Sequence, residues 1–323
     1  MKRTVYLSLL FLGVLIYLLN ERGLLTQLPQ DPVGTLEQLL EPPANTETPA
    51  TPETPSTPRS TPAPTTKLGP DEFSVITWNI QDLGSSKTDL EIAYMAEVVR
   101  EADIVAIQEV VAGNGGAQAV AKLADELNRM GAQWDYRISD PTTDDNRHMV
   151  ERYAYLWKPS RFSVQGRPKL AVKFEREISR EPYLGIFVDK AGRKVTLASF
   201  HAIPTSKDPE TEVVHLKEFP SSYRTGELLM MGDFNLAHDH EVFDHLEDRG
   251  YEPAVVEGKT SLRMKPKADG DYFSKQYDNL FYQPKDFRLK SMQIIDIVPD
   301  FDNLKAARGI SDHLPVQVVL KWR

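Results

Sequence analysis

Five short polar segments, each placed at the end of an apolar, strand-like run, carry the side chains best suited to chemistry. They are Trp78-Asn79, Gln108-Glu109, His201, Gly232-Asp233-Phe234-Asn235 and Ser311-Asp312-His313. In α/β sheets, ligand-binding groups gather where strands end and loops begin. Together these segments supply oxygen ligands for a cation and imidazoles for proton transfer, which is what metal-dependent hydrolysis of a phosphodiester requires.

The pair most typical of a cation site is Glu109 with Asn79. Glu109 follows the apolar run over residues 103–107, and Asn79 follows the alternating run over residues 73–78. A carboxylate just past a buried strand is costly unless it binds something. The alternative is an ordinary loop glutamate, but the neighbouring asparagine favours a metal ligand.

Asp233 and Asn235 form a second candidate group. They follow the apolar run over residues 228–231, where Gly232 permits a tight exit turn. Two residues apart, their side chains project the same way and could orient a phosphate, a water molecule and a cation together. The alternative is an ordinary turn, because Gly, Asp and Asn all favour turns.

Two histidines are candidates for general acid/base catalysis. His201 ends the run over residues 196–200, and His313 lies beside Asp312 just before the final strand. An imidazole is useful in catalysis when a carboxylate holds its ring, and Asp278 is a candidate partner for His313. A single histidine at a strand end is more often structural, but two with separate acidic partners favour a catalytic role.

Alternating strand-like and helix-like runs supply the elements that must position these groups. Residues 90–98 and 117–130 show the spacing of amphipathic helices. Besides the runs at 73–78 and 103–107, strands are predicted over residues 153–157, 184–188, 195–200, 228–231, 279–282 and 316–320. This mixture, with hairpin-like neighbours in the middle of the chain, predicts an α/β sandwich with mixed sheets rather than a barrel.

Composition limits the metal and the partner. The chain of 323 residues has no cysteine, so any metal must sit on oxygen or imidazole ligands, and carboxylate-rich sets favour Mg²⁺, Mn²⁺ or Ca²⁺. The net charge of −9 argues against coating nucleic acid through bulk electrostatics. A nuclease stays open, because an enzyme needs only a local basic rim and a cation.

The chain is predicted to have three parts. Lys2 and Arg3 precede an apolar run over residues 5–19, which predicts a signal anchor or transmembrane segment over residues 1–22. This places the rest of the chain outside the cytoplasm, either anchored to the membrane or secreted if the signal is cleaved. Residues 23–70, rich in Pro and Thr, predict a disordered linker, and residues 71–323 a globular domain.

As an ordered set, these motifs resemble the endonuclease/exonuclease/phosphatase superfamily. The resemblance rests on residues 74–79, 107–110, 232–235 and 311–316, and it covers nearly all of residues 73–322. Three further segments are similar to its deoxyribonuclease I branch: Glu151-Arg152-Tyr153 before a strand, Ser179-Arg180-Glu181-Pro182 after one, and Tyr277-Asp278. The resemblance implies a four-layer α/β sandwich of two mixed β-sheets flanked by helices, acting as a monomeric catalytic head.

The resemblance also implies a role for each candidate residue. Glu109 would be the main Mg²⁺ ligand, supported by Asn79 and Asp312, and Asp233 and Asn235 would orient the attacking water and the phosphate. His201 paired with Glu151, and His313 paired with Asp278, would be the general acid/base couple. Arg180 would contact a phosphate oxygen, and Tyr277 would position the substrate backbone.

Two departures from that branch bear on the substrate. The positions of the arginines that reach into the minor groove in the pancreatic-type enzyme hold Gln81 and Val111, and the disulfide of that enzyme is absent. Both losses weaken the expectation of tight binding to duplex DNA. A substitute basic rim is offered by Lys259, Arg263, Lys265 and Lys267, with a solvated loop as the equally weighted alternative.

The leading expectation is therefore a membrane-anchored, extracytoplasmic, Mg²⁺-dependent nuclease that cleaves DNA with little sequence specificity. One alternative keeps the fold and acts on inositol phosphates or sphingomyelin, as a phosphatase or phospholipase C. A second alternative is a non-catalytic binding module. A competent residue at every expected position argues against the binding module, and the segments at residues 151–153 and 180–182 favour the nuclease.

Overall fold

The computed structural model describes residues 68–113, 115–143, 150–223 and 226–323. The predicted signal anchor over residues 1–22 lies outside the described residues, as does the predicted linker as far as residue 67. Within the described ranges, no helix is both long and apolar enough to cross a lipid bilayer.

The first sheet has six strands. Their bounds are β1 Glu72–Leu83, β2 Ile104–Val111, β3 Asp135–Ile138, β4 Glu151–Trp157, β12 Phe287–Ile294 and β13 Val316–Trp322. Across the sheet they lie in the order β12-β13-β1-β2-β4-β3. The central pair, β1 and β2, is parallel, and Asn79 lies opposite Gln108. The other pairs are antiparallel, so the sheet is mixed.

The second sheet has seven strands. Their bounds are β5 Phe162–Val164, β6 Lys169–Leu170, β7 Tyr183–Asp189, β8 Lys194–His201, β9 Glu227–Asp233, β10 Glu252–Pro253 and β11 Asp278–Tyr282. Their order is β10-β11-β9-β8-β7-β5, with β6 paired to β7. The parallel pair β8–β9 places His201 opposite Asp233, and the antiparallel pair β9–β11 places Asp233 opposite Asp278. Three candidate residues thus lie side by side at one edge.

The two sheets pack face to face over a layer of buried apolar and aromatic side chains, which includes Phe73, Tyr155, Phe187, Leu197 and Trp322. The outer face of the first sheet is covered by the helices α1 Asp89–Val99, α2 Gly116–Arg129 and α6 Leu304–Ile310. The second sheet is covered by the short helices α3 Glu210–Val213, α4 Phe219–Ser222 and α5 Asp244–Glu247. This helix–sheet–sheet–helix order confirms the predicted four-layer α/β sandwich.

The predicted elements occur with small shifts at their ends. The six later strands and both predicted helices differ from the observed bounds by at most two residues at either end. The first two strands are longer than predicted, because β1 continues to Leu83 and β2 to Val111. Asn79 and Glu109 therefore lie within strands rather than after them. The edge strand β12 was not predicted, because several of its positions are exposed. The strands β3, β5, β6 and β10 and the helices α3 to α6 were not predicted either, because they have two to seven residues each.

Three further motifs lie at positions in the fold that differ from those predicted. The segment Ser179–Pro182 does not follow a strand, because the apolar run that precedes it bends into a 3₁₀ turn at Val172–Phe174 after two strand residues. Ser311–His313 follows the helix α6 and precedes β13, so it does not end a strand. Glu151 is the first residue of β4 rather than part of a loop before it.

Candidate active site

The predicted site residues meet at one end of the sandwich, where both sheets contribute. Asn79, Glu109, Glu151 and His313 belong to the first sheet or its connections, whereas His201, Asp233 and Asp278 belong to the second. Because β1–β2 and β8–β9 are both parallel pairs, the carboxyl ends of their strands coincide at one edge. The site is therefore a seam between the sheets.

Asp233 lies at the centre of this seam and is only 1% exposed. Asn79 Nδ2 donates to its Oδ2 at 3.1 Å, and the same oxygen lies 3.5 Å from His201 Nε2 and 3.6 Å from His313 Nε2. Burial raises the pKa of Asp233, but the two histidines and the donated hydrogen bonds outweigh burial and lower it. A buried, ionised carboxylate between two imidazoles can orient a water molecule and stabilise proton transfer.

His201 is held by Glu151. Its Nδ1 lies 2.9 Å from Glu151 Oε2 and 3.1 Å from Oε1, which leaves Nε2 facing Asp233. Burial and the nearby Arg180 lower the pKa of His201, but Glu151 and Asp233 outweigh them, and the net pKa is raised. Burial raises the pKa of Glu151, whereas His201 and Arg180 bring it below its ordinary value.

His313 is held by Asp278, with an Nδ1–Oδ2 distance of 2.7 Å. The hydroxyl of Thr260 accepts the backbone N–H groups of Tyr277 and Asp278 at 2.9 Å each, so it donates its own proton to Asp278 Oδ2, at 2.7 Å. Burial lowers the pKa of His313, but Asp278 and Asp233 raise it well above its ordinary value, and burial raises the pKa of Asp278 to about 6. We place the proton of this pair on the ring, because Asp278 Oδ2 already accepts from Thr260.

Both carboxylate–histidine pairs cross from one sheet to the other, in opposite senses. Glu151 of the first sheet reaches His201 of the second, and Asp278 of the second sheet reaches His313 of the first. Beside them Gln108, which is fully buried, donates from Nε2 to Ser199 Oγ at 2.7 Å and ties β2 to β8. The packing of the sheets therefore sets the geometry of both pairs.

Glu109 lies on the exposed side of the seam, beside the fully buried Asn79. A bulge in β2 places Glu109 in the left-handed region, at a φ of 59°, and its side chain is 27% exposed. Asn79 Nδ2 donates to Glu109 Oε1 at 2.9 Å, while the buried Asn79 Oδ1 has no hydrogen-bond partner within the described part of the chain. An orphaned buried amide oxygen beside a carboxylate fits a hard divalent cation.

Asp312, the third predicted ligand, is partly exposed and lies 3.2 Å from Arg308. Ser311 places it, since its buried hydroxyl donates to the carbonyl of Asn79 at 2.7 Å. Burial lowers the pKa of Lys87, and carboxylates that include Glu109 and Asp312 oppose that shift. Both acidic residues therefore lie within electrostatic range of one amine.

A second group of potential ligands adjoins the first. Ligand atoms of Asp233, Asp278 and His313 all lie within 4.8 Å of one another. One member pair, His313 Nδ1 and Asp278 Oδ2, is already joined by a hydrogen bond. The described residues therefore offer two adjoining sets of ligand atoms. Each set has a buried oxygen without a hydrogen-bond partner among the described residues, Asn79 Oδ1 in the first and Asp278 Oδ1 in the second.

Asn235 and Gly232 shape the turn around Asp233. Asn235 has a φ of 52°, donates its backbone N–H to Asp233 Oδ1 at 2.8 Å, and donates its amide to the carbonyl of Ala202 at 3.0 Å. Gly232 has a φ of 140°, and a Cβ there would lie 1.8 Å from the carbonyl oxygen of Phe200. The turn therefore requires glycine.

The two predicted substrate contacts have different surroundings. Arg180 is only 5% exposed, and its guanidinium donates to the carbonyls of His201 and Ala202 and lies 3.5 Å from Glu151. This guanidinium is occupied by the protein itself. Tyr277 is half-buried, stacks on the ring of His313 at 6.3 Å, and shares a hydrogen bond with Thr205 at 3.0 Å.

Sequence reasoning missed Thr260 as part of this site. It lies 18 residues from Asp278, and no local pattern distinguishes it from other buried threonines. The predicted basic rim lies on a hairpin over residues 260–275 and on the residue just before it. A β-bridge between Ser261 and His313 joins this hairpin to the site. Lys259 and Lys267 both pair with Asp271.

Comparison with known proteins gives a consistent assignment. The model of the Endonuclease/Exonuclease/phosphatase family matches residues 76–313. A deoxyribonuclease from Thioalkalivibrio sp. (strain K90mix) is 27% identical over 272 residues, covering 77% of this chain and 71% of that protein. Deoxyribonuclease-1-like 1 from Homo sapiens is 24% identical over 271 residues, covering 78% of this chain and 86% of that protein.

Solved structures share the fold at low identity. An endonuclease/exonuclease/phosphatase family protein from Bacteroides thetaiotaomicron has a TM-score of 0.58 and 15% identity, covering 79% of this chain and all of that one. TDP2 from D. rerio, solved with a single-strand DNA product, has a TM-score of 0.55 and 14% identity, covering 77% of this chain and 99% of that one. These likenesses show the fold, and the sequence relatives support the deoxyribonuclease I-like branch.

Proposed function

The chain belongs to the endonuclease/exonuclease/phosphatase family, and from this premise we propose that it is a metal-dependent phosphodiester hydrolase that cleaves DNA as an endonuclease with little sequence specificity. One observation carries the proposal. Two imidazoles, each held at Nδ1 by its own carboxylate, direct Nε2 toward the same oxygen of Asp233. This arrangement provides two proton-transfer groups on either side of one buried anion.

Each group has a task in phosphodiester cleavage. Asp233 would orient the attacking water, and one histidine would accept its proton while the other supplies a proton to the leaving oxygen. We assign the role of proton acceptor to His201, because burial and the adjacent Arg180 both oppose the rise in its pKa. We assign the role of proton donor to His313, because its pKa is raised further than that of His201.

We assign the cation to Glu109, Asn79 and Asp312. Carboxylate and amide oxygens suit Mg²⁺, with Mn²⁺ or Ca²⁺ as alternatives. Bound there, a divalent cation would stabilise the negative charge that builds up on the phosphate during cleavage. We keep the neighbouring group of Asp233, Asp278 and His313 for acid/base work, because a cation at His313 Nδ1 would break its hydrogen bond to Asp278, and a cation at Nε2 would occupy the nitrogen that transfers the proton.

DNA is favoured as substrate because the deoxyribonucleases from Thioalkalivibrio sp. and Homo sapiens match over more than two thirds of both chains. Gln81 and Val111 replace the groove-reading arginines that the resemblance implied. Fewer phosphate or groove contacts lower affinity and its salt dependence. We therefore expect weak binding to duplex DNA and cleavage without strong sequence preference.

Nicking of supercoiled plasmid, with Mg²⁺ and with EDTA, tests the proposal. His201→Ala and His313→Ala should each lower kcat by at least about a hundredfold, since general acid/base catalysis contributes on that order. His245→Ala, an exposed histidine on α5, is the control and should retain activity. Nicking that persists in EDTA, or in both catalytic variants, would contradict the mechanism.

The same proteins incubated with sphingomyelin and with inositol phosphates separate the alternatives. Phosphoester hydrolysis there without any nicking would assign the site to a phosphatase or phospholipase C. A wild-type protein that binds DNA but hydrolyses none of these substrates would indicate a binding module.

We further propose that the catalytic head acts as a monomer outside the cytoplasm, tethered through residues 1–22 and the linker. Two basic residues before the apolar run over residues 5–19 support the anchor, and a site drawn from one chain supports the monomer. The mass of the mature N-terminus and membrane fractionation test the anchor, and sedimentation of the protein tests the monomer. A cleaved N-terminus would replace the anchor with secretion.

A further inference from the structure

One buried carboxylate adjoins the site without belonging to it. Glu212 lies on the short helix α3 and is 3% exposed. Its Oε1 accepts the backbone N–H of Ser179 at 2.8 Å, and its Oε2 accepts that of Ile203, also at 2.8 Å. Both oxygens are thus occupied by the backbone of two segments that are far apart in sequence.

These two segments carry catalytic-site side chains. Ser179 immediately precedes Arg180, and Ile203 comes two residues after His201. Arg180 joins the same segments from the other direction, because its guanidinium donates to the carbonyls of His201 and Ala202. The backbone from His201 to Ile203 is therefore held by the arginine at the carbonyls of His201 and Ala202 and by the glutamate at the N–H of Ile203.

Glu212 also contributes to the charge balance around Arg180. Burial lowers the pKa of this guanidinium, and Glu151 and Glu212 are among the groups that raise it. Within the described residues, the contacts of Glu212 are backbone donors and it has no cationic side chain in ion-pair range. Arg180 therefore lies in the field of two carboxylates, of which only Glu151 contacts the ring of His201.

We infer that Glu212 is a positioning residue for His201 and Arg180, which locks the segments of both and leaves Glu151 free to orient the imidazole. The inference rests on the proposed function, since it assigns His201 to proton transfer. Truncation of Glu212 would leave two partly buried N–H groups without their acceptor and let the segment of His201 shift. A shift of about 1 Å near reacting groups can cost about a hundredfold in rate.

Glu212→Gln, Glu212→Ala and the control Glu210→Gln test this role. Glutamine keeps the size of the side chain but offers one carbonyl oxygen for two N–H donors. Glu210 lies on the same helix, and its side chain accepts no hydrogen bond within the described residues. We expect Glu212→Gln to lower kcat for plasmid nicking about tenfold with unchanged KM, Glu212→Ala to lower it further, and Glu210→Gln to match wild type.

A measurement on the histidine itself separates this inference from the proposed function. The ¹⁵N resonances of the His201 ring, assigned with His201→Gln, should move in Glu212→Gln while those of His313 stay in place. We expect this change in the His201 resonances whichever phosphoester the enzyme cleaves. A protein that fails to nick DNA would therefore leave the positioning role of Glu212 intact. If Glu212→Gln unfolds at a lower temperature but keeps the wild-type His201 resonances and kcat, Glu212 is structural only and the inference is overturned.

Discussion

At the scale of single residues, Thr260 shows how one hydroxyl can complete an acid/base pair. It accepts two backbone N–H groups and donates to the carboxylate of Asp278. Thr260→Val keeps the shape and removes all three bonds, so we expect a loss of about 1–3 kcal/mol in the free energy of unfolding. We also expect kcat to fall about tenfold, because Asp278 loses the donor that fixes its orientation. Urea unfolding and plasmid nicking measure the two effects.

Thr260→Ser is the matched control, because it keeps the hydroxyl and removes only a methyl group. It should retain kcat within about threefold of wild type. Equal activity in the Val and Ser variants would show that the hydroxyl does not orient Asp278.

A second single-residue effect concerns the turn that carries Asp233. In Gly232→Ala, the new Cβ would overlap the carbonyl oxygen of Phe200 in a backbone conformation that L-residues avoid. We expect a loss of about 3 kcal/mol or more, since strain and overlap act together at a buried position. Gly192→Ala also has a positive φ, of 83°, but meets no atom within 4 Å, so it should cost only about 1 kcal/mol. Similar losses by urea unfolding in both variants would show that overlap with Phe200 is unimportant.

At the scale of elements, most of the longer strands were predictable from residues alone, because period-two alternation and short apolar runs follow from burial. The two carboxylate–histidine pairs could not be derived from these local patterns. Glu151 lies 50 residues from His201, and Asp278 lies 35 residues from His313, so their contact depends on how two sheets pack. The residues alone suggested Asp278 as one candidate partner for His313, and the family resemblance supplied Glu151 as the partner of His201. The burial of Arg180 against His201 and Ala202 was not predicted at all, because an arginine in a polar segment looks exposed in sequence.

The hairpin over residues 260–275 is the element best placed to meet a substrate, since a bridge joins it to His313. Lys265 is exposed and has no ion-pair partner among the described residues, whereas Lys267 lies 2.8 Å from Asp271. If this hairpin contacts phosphates, Lys265→Ala should raise KM and lower the slope of log KM against log salt by about 1, with kcat unchanged. Lys267→Ala should have a smaller effect, because Asp271 already neutralises that amine. Equal salt slopes in wild type and Lys265→Ala would favour the solvated-loop interpretation.

At the scale of the whole molecule, the catalytic pairs are also contacts between the two sheets. Glu151–His201 and Asp278–His313 cross the seam in opposite directions, and Asn79 reaches Asp233 across it as well. Ionisation of these groups is therefore linked to sandwich stability, because a group whose pKa differs between the folded and unfolded states makes stability depend on pH.

The direction of that dependence follows from the pKa shifts. His201 and His313 have raised pKa values, so the stability they contribute is complete below their ordinary pKa of about 6.5 and is lost as the pH rises through the folded values. Burial raises the pKa of Asp278 to about 6, so its contribution to stability is also lost as the pH rises. Glu151 and Asp233 have lowered pKa values, so their contribution is present above the ordinary carboxyl range and is lost as the pH falls through the folded values. Stability should therefore be highest between these two ranges.

Asp278→Asn tests the predicted loss of stability at high pH. The substitution removes one titrating group and the largest source of the raised pKa of His313, so the ring moves toward the low value that burial imposes. In EDTA, we expect the unfolding free energy of wild type to fall between pH 6 and pH 9, and that of Asp278→Asn to fall much less. His245→Gln, on the exposed face of α5, should keep the wild-type slope. Urea unfolding at several pH values measures the slopes, and parallel curves for wild type and Asp278→Asn would mean that the pair does not link ionisation to the packing of the two sheets.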